Sequence, residues 1–169
     1  MQIIGCPIVK KLSQTKPGEL ILISKVNCFG IKIPEDDSRH NLIIFEQIKH
    51  ENTFMPILKY HDNFDTDVAS FGEDWVLECL DISKENFDDY ASACSPGSIL
   101  LEGNRRYLVV NDNSYQVRTP LFLDLDLLQL KNKPDTYLPA SKWNVWPNLS
   151  ERTLGRSEPL LRWPINNGN

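Results

Sequence analysis

No apolar run in this chain approaches the roughly 20 residues that a membrane-spanning helix needs. Stretches such as Leu20 to Ile23 and Leu121 to Leu123 are soon broken by polar residues, which excludes a helical span and argues against a membrane partner. The four cysteines, Cys6, Cys28, Cys79 and Cys94, contain no CxxC spacing. Ile3-Ile4-Gly5-Cys6 matches a lipoprotein cleavage box, but only five residues precede Cys6. A secretory signal places an apolar region of about 7 to 15 residues there. The expectation is therefore a cytoplasmic protein with free thiols, in which the triplet Asn148-Leu-Ser150 carries no glycan.

The motifs of catalysis are equally scarce. Neither a GxGxxG nor a P-loop occurs, so those phosphate cradles are excluded. Ser13-Gln-Thr-Lys16 fits S-x-x-K, but no S-D-N or K-T-G box follows. His40, His50 and His61 stand at none of the helical spacings that gather imidazoles, and no Cys/His cluster suits zinc. His61-Asp62 with Asp65 and Asp67 could surround a hard cation, yet the run lacks the glycine and closing glutamate of a calcium loop. No predicted strand carries a Lys two residues after an acid, as a D…(D/E)xK nuclease requires. No cofactor, metal or catalytic residue is implied.

What is present is an ordinary globular composition, 169 residues with 41% apolar and 24% charged, and a trace of internal repetition. Residues 17–46 lie ungapped over 96–125. Pro17-Gly18-Glu-Leu20-Ile21-Leu22 faces Pro96-Gly97-Ser-Ile99-Leu100-Leu101, and Leu42-Ile43-Ile44 faces Leu121-Phe122-Leu123. Further on, Thr53-Phe54-Met55-Pro56-Ile-Leu-Lys59-Tyr60 corresponds to Thr136-Tyr137-Leu138-Pro139-Ala-Ser-Lys142-Trp143. Colinearity over some seventy residues predicts a duplication.

Each copy reads as short strands rich in β-branched and aromatic residues: 20–24, 28–33, 42–48 and 55–60, then 99–102, 105–110, 115–118 and 121–127. Gly103-Asn104 predicts a two-residue hairpin loop. Alternation through Leu121 to Leu127 sets Phe122, Asp124 and Asp126 on one face. Ser83 can cap a helix over 84–94, stopped by Ser95-Pro96-Gly97. Ser70-Phe-Gly-Glu73 resembles a capping box and favours a helix over 73–80. The tail from Asn132 holds five of eleven prolines and three of four tryptophans. It reads as an extended segment pinned to the body by Trp143, Trp146 and Trp163. The predicted fold is thus mainly β with minor α: two tandem pseudo-repeats of antiparallel β-meander or barrel type. Residues 1–82 and 96–169 form the copies and 83–95 a joining helix.

Charge supplies the functional lead. Residues 1–95 carry nine Lys or Arg against sixteen Asp or Glu, a net of −7, while residues 96–169 carry nine against seven, a net of +2. Between Asp62 and Asp89 there are ten acids and Lys84 alone. Such a field steers a basic partner and opposes a nucleic-acid backbone. The first reading is a non-catalytic interaction module, of the inhibitor or immunity-protein kind by size and charge, that binds a basic protein through Asp62, Asp65, Asp67, Glu73, Asp74 and Glu78. An alternative destiny for those acids is internal pairing with Arg152, Arg156 and Arg162 of the second copy. The competing functional class is a hydrolase or small-molecule binder with a carboxylate-lined pocket between the lobes, drawing on Asp124, Asp126 and the surroundings of His61.

Overall fold

A computed structural model describes residues 6–36, 39–48, 53–61, 66–82, 94–112, 120–155 and 158–164. The chain is mainly β. Its strands are β1 (Ile8–Lys11), β2 (Leu20–Ile23), β3 (Cys28–Asp36), β4 (Arg39–Ile48), β5 (Thr53–His61), β6 (Asp67–Ser70), β7 (Val76–Ile82), β8 (Ile99–Glu102), β9 (Arg105–Asp112), β10 (Pro120–Asp124), β11 (Gln129–Lys131), β12 (Leu138–Trp146) and β13 (Leu161–Trp163). One short helix, α1 (Leu149–Leu154), follows β12. All described strands join one curled, half-barrel sheet. Among the described residues every pairing is antiparallel except a two-residue parallel contact, Ile57↔Asn111 and Leu58↔Asp112, through which β5 meets β9. That contact carries the sheet from the N-terminal half into the C-terminal half.

The apolar runs are buried on both faces, as continuous β-branched runs require. In β2, Leu20 enters the main core and Ile21 an outer cluster with Leu12, Leu42, Ile44 and Val68. In β8, Ile99 enters the same main core while Leu100 joins a second outer cluster with Tyr107, Val109 and Phe122. The main core draws Leu20, Ile31, Ile43 and Phe45 from the first half and Leu108, Val110, Leu123 and Trp143 from the second. The halves share one core. At about 25 cal/mol per Å² of apolar surface, each fully buried Leu, Ile or Phe contributes roughly 1.5 to 3 kcal/mol.

Several expectations hold locally. Glu102 pairs with Arg105 across Gly103-Asn104, and Gly103 takes φ 57°, the positive value needed at the first position of a II′-type hairpin turn. The described part of the tail packs on the body: Trp143 is 1% and Trp163 9% exposed, and their rings stack at 5.5 Å. Proline density does not prevent the nine-residue β12, because Pro139 occupies its second position and Pro134, Pro147, Pro159 and Pro164 all lie outside strands. All four cysteines are free.

Others need correction. Residues 76–82 form β7, paired with β12 from Trp146↔Val76 to Ala140↔Ile82, and not a helix. The capping box fails because Ser70 is the last residue of β6 and its hydroxyl donates to Glu19 at 2.6 Å. Leu77 and Cys79 then pack on the main core at strand period. The strand expected over 121–127 ends at Asp124, and 125–128 is a turn. Helix α1 was readable yet missed: Asn148 accepts from the Glu151 N–H at 2.9 Å, and Gly155 closes the helix at φ 58°. Residues 83–93, where the joining helix was expected, and the predicted strand 115–118 lie outside the described residues.

Candidate functional site

A cleft of about 260 Å³ opens where the halves meet, lined by Pro17, Gly18, Glu73, Trp75 and Leu77 from the first and Arg106, Leu125, Asp126 and Leu128 from the second. The first wall is a Pro-Gly turn. Gly18 takes φ 89°, a left-handed value that suits glycine. Its N–H donates to the Lys32 carbonyl at 2.7 Å, and its own carbonyl accepts the Trp75 indole N–H at 2.7 Å. Trp75 therefore ties the approach to β7 onto the turn before β2.

The second wall is the turn between β10 and β11. Asp124, fully buried, accepts the backbone N–H groups of Asp126 and Leu127 through Oδ1, both at 2.9 Å. Its side chain thus shapes the turn, and its Oδ2 has no hydrogen-bond partner. Asp126 projects from the turn and forms an ion pair with Arg106 of β9. Asp124 and Asp126 are consequently not paired carboxylates on one strand face, because the strand ends between them. The cleft has a floor of Leu77, Leu125 and Leu128, an acid on either side and one guanidinium. Among the described residues that line it there is no Ser, Thr, Cys, His, Lys or Tyr.

A larger opening, about 620 Å³, lies between Phe29, Phe45 and the segment Glu158–Arg162, with Cys28 in its wall. Burial, and then the charge of Glu46, push the Cys28 thiol upward, so it is a poor nucleophile.

The structure divides the acids predicted to form one binding face. Asp62 and Asp65 lie outside the described residues. Asp67 is exposed and pairs with Lys11 at 2.9 Å. Glu78 is turned to internal use: it accepts from the Trp146 indole at 2.9 Å, from Arg152 Nε at 3.0 Å and from Asn144 at 3.4 Å. The Trp146 hydrogen bond, against a smaller penalty of burial, and the bonds from Arg152 and Asn144 hold the Glu78 carboxyl below its usual range. Asp81 faces Lys142 at 3.6 Å. Arg152 and Lys142 both belong to the second half, so internal pairing accounts for these two acids. Arg162 pairs with Glu158 and Arg156 lies outside the described residues. Glu73 and Asp74 remain: both are exposed and make no ion pair among the described residues.

Sequence reasoning missed Trp75 and Arg106 as cleft residues. The repeat gave no signal for Trp75, because it sets Trp143 opposite Tyr60. Arg106 offered none, since only tertiary pairing brings it to Asp126. No family model, curated protein or solved structure matches the chain.

Proposed function

We propose that the protein is a non-catalytic, cytoplasmic interaction module that engages a basic partner along the ridge from Glu73 to Ile82. The observation that carries this reading is the adjacency of two acids and a strand edge that have no partner among the described residues. Glu73 and Asp74 directly precede β7, and among the described residues β7 pairs on one side only, with β12. Beyond the acids, Leu80 is 56% and Ile82 49% exposed. An extended segment adding to such an edge gains main-chain hydrogen bonds, two apolar contacts and charge attraction at one end. The chain's net charge of −5 disfavours nucleic acid in this role. Inhibitor and immunity-type proteins are the class this profile fits.

The frame for the ridge is a duplicated one in this reading. Two similar turns support it: Gly18 N–H to Lys32 carbonyl at 2.7 Å, and Gly97 N–H to Val109 carbonyl at 2.8 Å, with the second hairpin two residues shorter than the ungapped match has it. A tryptophan indole donates to the carbonyl of each turn glycine, but Trp75 does so from before β7 and Trp143 from within β12, at positions the repeat does not equate. The equivalence of β5 and β12 has less support, since β5 pairs β4 and β9 whereas β12 pairs β7, β8 and β13. The hydrolase alternative loses its paired carboxylates with the burial of Asp124.

The test places a photo-crosslinking residue at position 80 in a native lysate, identifies the captured segment, and titrates the purified partner calorimetrically. A basic, extended segment is expected, with affinity reduced at least about tenfold, or 1.4 kcal/mol, by the double reversal Glu73→Lys, Asp74→Lys. Asp67→Lys, at an acid already paired, should do less. An acidic partner segment, or affinity unchanged by the double reversal, sinks the proposal.

A further inference from the structure

The cleft between the halves holds one charge that its own lining does not balance. Asp126 pairs with Arg106, so those two cancel within the cleft. Glu73, on the opposite wall, makes no ion pair among the described residues. It is nonetheless set beside the apolar floor. A Cβ on Gly18 would stand 3.9 Å from Glu73 Cγ and 3.2 Å from Leu128 Cδ1, which brings an acid of the first half and a leucine of the second over one glycine. Trp75 fixes the adjoining wall: its indole N–H donates to the Gly18 carbonyl at 2.7 Å, and its side chain packs on the main core.

Each part of that lining narrows what can enter. Small-molecule sites occupy about 300 to 1,000 Å³, so a cleft of about 260 Å³ suits a single side chain. Glu73 opposes an anion, and the Arg106 guanidinium that would attract one is taken by Asp126. Leu77, Leu125 and Leu128 offer a small hydrated ion no donors. A cation on an apolar stem meets all of these conditions, since its methylenes cover the leucines while its charged head reaches the carboxylate and the aromatic ring. Guanidinium is favoured over ammonium, because it is planar, pairs a carboxylate through two N–H groups and is the more weakly hydrated of the two.

We infer that the cleft receives an arginine side chain of the basic partner, with its guanidinium against Glu73 and Trp75 and its methylenes on Leu77 and Leu128. The insertion rests on the reading of the ridge above, and it names what the partner places beside that ridge. Leu77 belongs to both features, since it is a residue of β7 and also lines the cleft. Residues directly opposite on paired strands share a face. In a segment added along the edge of β7, the side chain opposite Leu77 therefore turns toward the cleft.

The isotope-labelled, full-length protein would be titrated with acetyl-Gly-Arg-Gly-amide and with its lysine and citrulline counterparts, followed by NMR of the indole N–H signals. In the wild type, with no variant to misfold, the arginine peptide should move the signal of Trp75 and leave those of Trp143 and Trp146 in place. Replacing arginine by neutral citrulline, or Glu73→Gln in the protein, should each weaken binding about threefold to fivefold, as loss of one partly exposed charge pair allows. The lysine peptide should also bind less tightly than the arginine one. An unmoved Trp75 signal, equal binding of the citrulline or lysine peptide, or affinity unchanged in Glu73→Gln would each overturn the arginine cleft. The captured partner separates this outcome from the fate of the ridge. If its affinity falls on the double reversal Glu73→Lys, Asp74→Lys but is kept when every arginine of the captured segment is made lysine, the ridge stands and the cleft falls. If the arginine peptide fills the cleft while no basic segment is captured at position 80, the ridge falls and arginine binding by the cleft stands.

Discussion

The two Pro-Gly turns use one hydrogen-bonding plan in opposite surroundings. At Gly18 the indole that closes the turn belongs to Trp75, which is partly exposed and lines an open cleft. At Gly97 it belongs to Trp143, which is 1% exposed, donates at 2.7 Å, stacks on Trp163 and meets Phe45 edge-on at 5.8 Å. The same local motif is therefore a core anchor in one half and a cleft wall in the other. The open turn leaves a cleft, and burial is concentrated where the turn is sealed.

The comparison can be broken most directly by truncating the tryptophans. Trp143→Ala should cost about 3 to 5 kcal/mol in urea unfolding, and Trp75→Ala about half of that. Equal losses would show that the first turn is as much a core element as the second.

The glycines give a smaller contrast. Both hold positive φ, 89° at Gly18 and 95° at Gly97, so alanine is strained at either by about 1 to 3 kcal/mol. At Gly97 a Cβ would also fall 1.8 Å from the Trp163 ring, whereas at Gly18 its closest neighbour is Leu128 Cδ1 at 3.2 Å. Gly97→Ala should exceed Gly18→Ala by roughly the 1 to 3 kcal/mol of overpacking, measured as a difference in denaturation midpoint at constant slope.

The smallest effect is in pH dependence, and it separates a tie within one half from a tie between halves. Glu19 is buried, which by itself raises its carboxyl, but hydrogen bonds from Lys10, Ser70 and the backbone, with the Lys10 charge, outweigh that and lower it. Glu78, bridging to Trp146 and Arg152, is lowered as well. A carboxyl lowered in the folded state contributes stability that is full above its unfolded value, about 4.3, and lost as pH falls through the folded value. The stability gap between wild type and Glu78→Gln, or Glu19→Gln, should hold steady near neutrality and close in acid. A gap that widens as pH falls would reverse the assigned sign.

Much of the architecture was legible because it is encoded over a few residues. Gly103-Asn104 specified its hairpin, and Trp143 and Trp163 marked the tail as ordered body. The 73–80 segment was misread because Trp75, Val76, Cys79 and Leu80 satisfy a helical face as well as a strand. Only the long ladder to β12, and the capture of the Ser70 hydroxyl by Glu19, decide between them. The acidic face was legible as composition but not as geometry. Glu78 and Asp81 look the same as Glu73 and Asp74 along the chain, and differ only because Arg152 and Lys142 arrive from more than sixty residues away.

By itself, then, the sequence determined a β-rich chain with tight turns, apolar strands and an acid-rich N-terminal half, since turn chemistry and alternation act between near neighbours. Tertiary structure alone decided that the two halves share one core, that Glu78 and Asp81 are paired across them, and that the Pro-Gly turn is sealed at Gly97 and open at Gly18. Those outcomes depend on pairings between distant strands, whose partners are chosen by the burial and hydrogen bonding of the whole sheet.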